Sequence, residues 1–223
     1  ALQGRMISKR QLADEEIRIE QDVMMEAVGS QDQIWAAYGG LNRIDFKTDG
    51  AYEVSPLILS ADNRKTLHSS FMLFFTGFAR YATEIAQKQI DNFGEKQMQL
   101  RIMGQLCNEA AHILERRGDP VEEFGNLMHE AWMLKRELAE GVSTSAIDEI
   151  YDAGRAAGAI GGKLLGAGGG GFMLFVVKPE NQPALRQALS NLIHVNFDLD
   201  AGGSKIVVFE PADLGDVDAP PRG

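Results

Sequence analysis

The chain has 223 residues, 44% hydrophobic and 24% charged, enough apolar material for a sizeable core in one large domain or somewhat more. Its net charge of −10, from 22 basic and 32 acidic residues, argues against a nucleic-acid partner. No apolar run approaches the ~20 residues that span a membrane, the start ALQGRMISKR lacks the apolar stretch of a signal peptide, and a single cysteine, Cys107, excludes an internal disulfide and suits a reducing, cytoplasmic compartment.

Ser8 and Gln11 form a capping box that opens a helix through about Met25, with Leu12, Ile17, Ile19, Val23 and Met24 as its apolar positions. The chain breaks at Gly29 and resumes as a short helix. LNRIDF and AYEVSPLIL alternate as strands around a turn from Lys47 to Gly50. Asp62 to Lys65 reads as a polar connection, and SFMLFFTG as a buried strand that stops at Gly77. Three helices follow, Ala79 to Asn92, Lys96 to Arg117 and Val121 to Leu138. The second carries Ile102, Met103, Leu106, Ala110, Ile113 and Leu114 on one face and ends at Gly118 before Pro120.

A capping box from Ser145 to Asp148 opens a further helix, expected to lead directly into the glycine run Gly168 to Gly171. FMLFVV is a strand, Pro183 to Leu192 a helix, and HVNFDLD and SKIVVFE are strands; the tail PADLGDVDAPPRG is expected to be disordered. From Ser70 onward this order suits a small sheet covered on one face by helices, an α+β arrangement. Residues 1–59 lack a complete core of their own and read as part of a different domain, 60–69 as a connection, 70–210 as the main domain and 211–223 as the tail. ALQG reads as the end of a helix already under way.

The glycine segment GGKLLGAGGGGFMLFVV poses the sharpest question. Linker glycines have polar or glycine-rich neighbours, whereas these are flanked by Leu164, Leu165 and Phe172. Gly166, Gly168 and Gly171 spell G-x-G-x-x-G, but the dinucleotide fingerprint needs a strand before and a helix after, and the order here is the reverse. Gly162-Lys163 hints at a P-loop, yet Ala157 and Leu164 occupy positions that motif reserves for Gly and Ser or Thr. In MHEAWMLKREL, His129 reads as a satisfied helix histidine and Trp132 as core; Lys135 could face an anion but reads first as a solvated lysine, and Lys163 has the stronger claim to phosphate. The four histidines lie far apart, and with one cysteine no zinc spacing exists.

AGAIGGKLLGAGGGGFMLF resembles the third signature of the GHMP family of small-molecule kinases. GSQDQ, from Gly29 to Gln33, is similar to that family's Gly-x-x-Asp-Gln stretch, and Glu20 stands twelve residues before Asp32. The likeness extends over EQDVMMEAVGSQDQIWAAYGGLNRIDF, LFFTGFAR and MHEAWMLKREL, and is strongest to kinases that act on a heptose 7-phosphate. The resemblance implies the end of a ribosomal-protein-S5-like N-terminal domain followed by a ferredoxin-like C-terminal domain. It implies ATP and Mg²⁺ as cofactors and a sugar phosphate as substrate, with phosphate placed on the anomeric hydroxyl.

On the same ground Asp32 is the expected base and Glu20 the Mg²⁺ ligand. Gly166, Gly168, Gly169, Gly170 and Gly171 would line the phosphate region, and Lys163 joins them because it precedes that loop. Arg80 is a candidate for the sugar phosphate on local grounds, since it stands where a strand gives way to a helix, whose N-terminus favours anions, and arginine suits phosphate. The bland readings are a solvated acid for Glu20, a surface arginine for Arg80 and a flexible linker for the glycines. A fucose- or galactose-type kinase and a non-catalytic binding domain are the alternative functions. The family's ATP-phosphate loop does not occur in this sequence. The chain alone is therefore expected to be inactive, to expose Ile34, Trp35 and Leu57, and to fray or pair with another copy as a homodimer.

Overall fold

The computed structural model describes residues 7–77 and 82–205. Helix α1 (Lys9–Arg18) begins with the expected capping box, in which Ser8 and Gln11 exchange side-chain and backbone hydrogen bonds. It does not run to Met25: beyond Arg18 the chain widens into a π-helical turn, Ile19–Val23, closed by Met24 N–H donating to the Ile19 carbonyl. Met25 then takes φ 57°, a left-handed conformation that no continuing helix accommodates. Helix α2 (Gln31–Tyr38) follows, then strands β1 (Asn42–Phe46) and β2 (Tyr52–Pro56), paired antiparallel with Ile44 opposite Val54. Ala13, Ile34, Ala37 and Tyr52 make a small buried core between these elements. Ile34 is therefore buried, contrary to expectation, because it faces α1 across this core; Trp35 is half exposed.

Asp62 to Lys65 is not a connection but the first part of helix α3 (Ala61–Ser69), capped by Ser60, whose side chain accepts from Asn63 N–H. Its charged residues hide the helical period, while buried Leu67 and Asn63, which donates to the Arg116 carbonyl, hold its inner face.

Strand β3 (Phe71–Phe75) and helices α4 (Ala82–Asn92), α5 (Gln97–Glu115), α6 (Val121–Arg136) and α7 (Ser145–Ala156) come next. The N-cap of α7 is Thr144, which accepts from Ile147 N–H; Asp148 accepts from the Ser143 hydroxyl rather than closing a box with Ser145. Nor does α7 run into the glycines. It stops at Gly158 (φ 97°), with Ala159 N–H bonded back to the Gly154 carbonyl, and a short strand β4 (Gly161–Leu164) intervenes. Strand β5 (Phe172–Val176), helix α8 (Gln182–Ala188, after a 3₁₀ turn at Pro179–Asn181) and strand β6 (Ile193–Val195) complete the described elements. The helix expected from Pro183 to Leu192 thus ends early, and HVNFDLD contributes only its start to the sheet. Most of SKIVVFE and the tail lie outside the described residues.

The main sheet is antiparallel, in the order β4-β5-β3-β6. One face presents Met72, Phe74, Leu164, Met173 and Phe175 to Ile147 and Tyr151 of α7, Leu185 of α8 and Trp132 of α6. This is the helix-covered sheet of an α+β, ferredoxin-like domain. Period-two alternation in β3 and β5 selects those residues for one face. Phe71, Leu174 and Val176 point the other way, toward Val121, Phe124 and Met128 of α6. Helix α6 approaches β4 through paired glycines: a Cβ on Gly161 would lie 1.9 Å from the Gly125 carbonyl oxygen. That close approach carries the C-terminal end of α6 to the loop after β4. Residues 200–205 return to α2, where Gly40 N–H donates to the Asp200 carbonyl and Ser204 N–H to that of Ala36.

Candidate active site

The glycine run is the loop of the β4–β5 hairpin, closed by Leu165 N–H donating to the Phe172 carbonyl at 2.8 Å. It is anchored on every side. Gly169 N–H donates to the Val142 carbonyl at 3.0 Å, Gln89 Nε2 to the Ala167 carbonyl at 2.8 Å, and both the N–H and the hydroxyl of Thr76 to the Gly171 carbonyl at 2.9 Å. Gly166, Gly168, Gly169 and Gly171 have φ of 75°, 124°, 75° and 103°, which side-chain-bearing residues rarely adopt. Gly170 is not among the positive-φ glycines. A Cβ on Gly168 would sit 2.7 Å from the backbone of Val142. A tethered, close-packed loop is the opposite of a flexible linker.

Two lysines converge on this loop. Lys135, in the last turn of α6, is half-buried and donates from Nζ to the Gly166 carbonyl at 2.5 Å. Burial, then the neighbouring Lys163 ammonium, push its pKa down to about 8, against the opposing pull of the Asp32 carboxylate. Lys163, on β4, is held below the usual lysine value by burial, partly offset by Cys107 and by the same Asp32. Asp32 itself is exposed in the first turn of α2. A carboxylate there is favourable to the helix dipole on its own, and its charge also acts, more weakly than burial, on both lysines. Lys163 leads from β4 into the glycine loop, and Asp32 acts on it through its charge. Lys135, for which the sequence favoured a solvated cation over an anion contact, bonds to the same loop; no signal in the chain separates a buried lysine from an exposed one at a helix end.

Glu20 lies on the π-turn, a distortion frequent at functional sites. Its carboxylate accepts a hydrogen bond from the side-chain amide of buried Gln33, the residue after Asp32. Gln21 fastens the intervening loop, donating to the Val28 carbonyl at 2.9 Å and to the Ser30 hydroxyl at 3.1 Å. Among the described residues no group of three or more His, Cys, Asp and Glu is arranged to hold a metal. A cation here would take Glu20 as its one carboxylate, which suits Mg²⁺ keeping water and phosphate oxygens. Buried Gln33 Oε1 has no hydrogen-bond partner, so the site also contains an acceptor left to satisfy. Arg80 lies outside the described residues. His129 and Trp132 are structural: His129 Nδ1 lies 2.7 Å from the Tyr151 hydroxyl, and Trp132 is fully buried.

Residues 110–194, from within α5 through the first part of β6, match the family described as GHMP kinases C terminal. The chain is 31% identical over 176 residues to D-glycero-alpha-D-manno-heptose 7-phosphate kinase of Campylobacter jejuni, covering 77% of this chain and 50% of that protein. It is 28% identical over 191 residues to the bifunctional fucokinase/GDP-fucose pyrophosphorylase of Arabidopsis thaliana, covering 82% of this chain and 18% of that protein. A crystal structure of a D-glycero-D-manno-heptose 1-phosphate kinase from Bacteroides thetaiotaomicron superposes with a TM-score of 0.64 at 25% identity, over 92% of this chain and 57% of the other. The chain spans about half the length of the heptose kinases it matches. No helix among the described residues is long and apolar enough to cross a membrane.

Proposed function

Because the chain belongs to the GHMP kinases through its C-terminal domain, we propose that the protein is an ATP- and Mg²⁺-dependent kinase that phosphorylates the anomeric hydroxyl of a heptose 7-phosphate. The observation that carries this reading is the tethered glycine loop with Lys135 bonded to its Gly166 carbonyl and Lys163 leading into it, both lysines sensing the charge of Asp32. Phosphoryl transfer asks for positioning, charge neutralisation and a carboxylate near the attacking hydroxyl rather than covalent help, and the three groups supply those parts.

In the proposed reaction Asp32 accepts the proton of the anomeric hydroxyl as its oxygen bonds to the γ-phosphorus of ATP. The bond from that phosphorus to the β–γ bridging oxygen breaks, and ADP leaves. Lys163 and Lys135 meet the negative charge spread over the transferred oxygens. The positive-φ glycines let the loop backbone approach an anion without side chains in the way. Mg²⁺ bound beside Glu20 would neutralise further phosphate charge, and Arg80 is the proposed partner of the sugar's own phosphate. The similarity to a fucokinase keeps fucose in view as a second acceptor class.

The test is a panel of acceptors offered to the full-length protein with ATP and Mg²⁺: a heptose 7-phosphate, an unphosphorylated heptose, fucose and galactose. The reading expects ADP release with the heptose 7-phosphate at a kcat/KM at least tenfold above the others. Preference for fucose or galactose would move the assignment to the second class, and ADP release with none of the four would overturn it.

A further inference from the structure

We infer that Lys135 is a positioning residue, whose ammonium ties the glycine loop to the end of α6 through the Gly166 carbonyl and thereby holds that loop, with Lys163, across from Asp32. The inference rests on the proposed kinase reading for its catalytic consequence, though not for the tether itself.

The geometry is specific. Gly125 packs its backbone on Gly161, so α6 and β4 share one fixed contact. Ten residues farther along α6, Lys135 reaches the first residue of the left-handed loop, Gly166, at 2.5 Å. The other anchors of the loop act farther along it: Gln89 on Ala167, Val142 on Gly169 and Thr76 on Gly171. Among the anchors named, Lys135 alone is ionisable, and the only one supplied by α6. The titratable groups that face it are Lys163 from β4 and Asp32 from α2; Cys107 of α5 acts on Lys163 behind them. Two like charges that act on each other in a half-buried setting disfavour each other, and an arriving phosphoryl group would relieve that repulsion, which Asp32 offsets only in part.

Because burial and Lys163 bring Lys135 into the range of an alkaline assay, the cation that fastens the loop is lost as pH rises. A purely structural contact through an arginine would keep its charge. Lys135→Met removes both tether and charge, whereas Lys135→Arg keeps both and moves the titration far upward.

The experiment uses wild type, K135M and K135R of the full-length protein, each first checked for a cooperative thermal melt. Hydrogen exchange reads the loop amides, Gly169 above all. Steady-state kinetics from pH 6.5 to 9.5 read turnover. The expected result is exchange in the 166–171 loop about tenfold faster in K135M and near wild type in K135R. In the kinetics, the fall in wild-type kcat near pH 8 is absent from K135R, and K135M is at least tenfold slower at neutral pH. Wild-type loop exchange in K135M, or a fall near pH 8 that persists in K135R, would overturn the inference. Should no acceptor be phosphorylated, the kinase reading fails, and the exchange comparison still decides the tether.

Discussion

The side-chain amide of Gln33 donates to the carboxylate of Glu20, joining the residue after Asp32 to an acid on the π-turn beyond α1. The pair makes one unit of two chain segments, so the proposed base and the proposed metal ligand are linked by a shared contact.

Gln33→Leu removes that contact and leaves Glu20 unsupported. A lost partner to a metal-binding carboxylate typically costs about 10–100-fold in metal affinity. The expected outcome is a rise of that order in the Mg²⁺ concentration for half-maximal rate at fixed ATP, with the sugar-phosphate KM little changed. An unchanged Mg²⁺ titration would separate Glu20 from the metal.

Gly168 and Gly170 should respond differently to the same added methyl. At Gly168 a Cβ meets the Val142 backbone at 2.7 Å with φ at 124°, while Gly170 is not in the left-handed set. Strain of roughly 1–3 kcal/mol, released by displacing the loop, predicts a kcat loss on the order of tenfold or more for Gly168→Ala. Gly170→Ala should stay within about threefold of wild type. Thermal melts on both variants show whether the loss lies in the loop or in the fold, and equal kinetic effects would argue that the loop has no preferred shape.

Lys135 also sets a sign for stability against pH. Its folded pKa, about 8, lies below the ~10.4 of an unfolded lysine, so the unfolded chain binds more protons between those values. The penalty for burying the charged form is fully present below pH 8 and fades as pH rises toward 10. The unfolding free energy of wild type minus that of K135M should therefore increase from pH 7.5 to 10, as read by urea melts. A flat difference would place Lys135 in solvent, and a falling one would mean that the fold stabilises its charged form.

The parts of the fold that were legible in the sequence are those where local chemistry and packing agree. The Ser8–Gln11 capping box, the β1–β2 hairpin and the alternating β3 and β5 strands all stand where their side-chain patterns put them. Helix α3 was hidden because its charged outer face masks a period carried by only two buried residues, Asn63 and Leu67. Strand β4 was hidden because glycines and a lysine make a strand only when β5 supplies the hydrogen bonds and α6 the close backbone. In the site, Asp32 and the glycine loop were singled out through resemblance to a family. Lys135 and the Gln33–Glu20 bond were not, since each depends on which elements meet in space.

The most direct measurement of the central claim is the turnover number of Asp32→Asn against wild type, on the full-length protein with ATP, Mg²⁺ and the preferred sugar phosphate. Asparagine keeps the shape and cannot take the proton, and loss of a positioned base costs about 10²–10⁴-fold. The account predicts a kcat lowered by that factor with ATP affinity nearly unchanged; a kcat within tenfold of wild type, in a variant that melts normally, would contradict it.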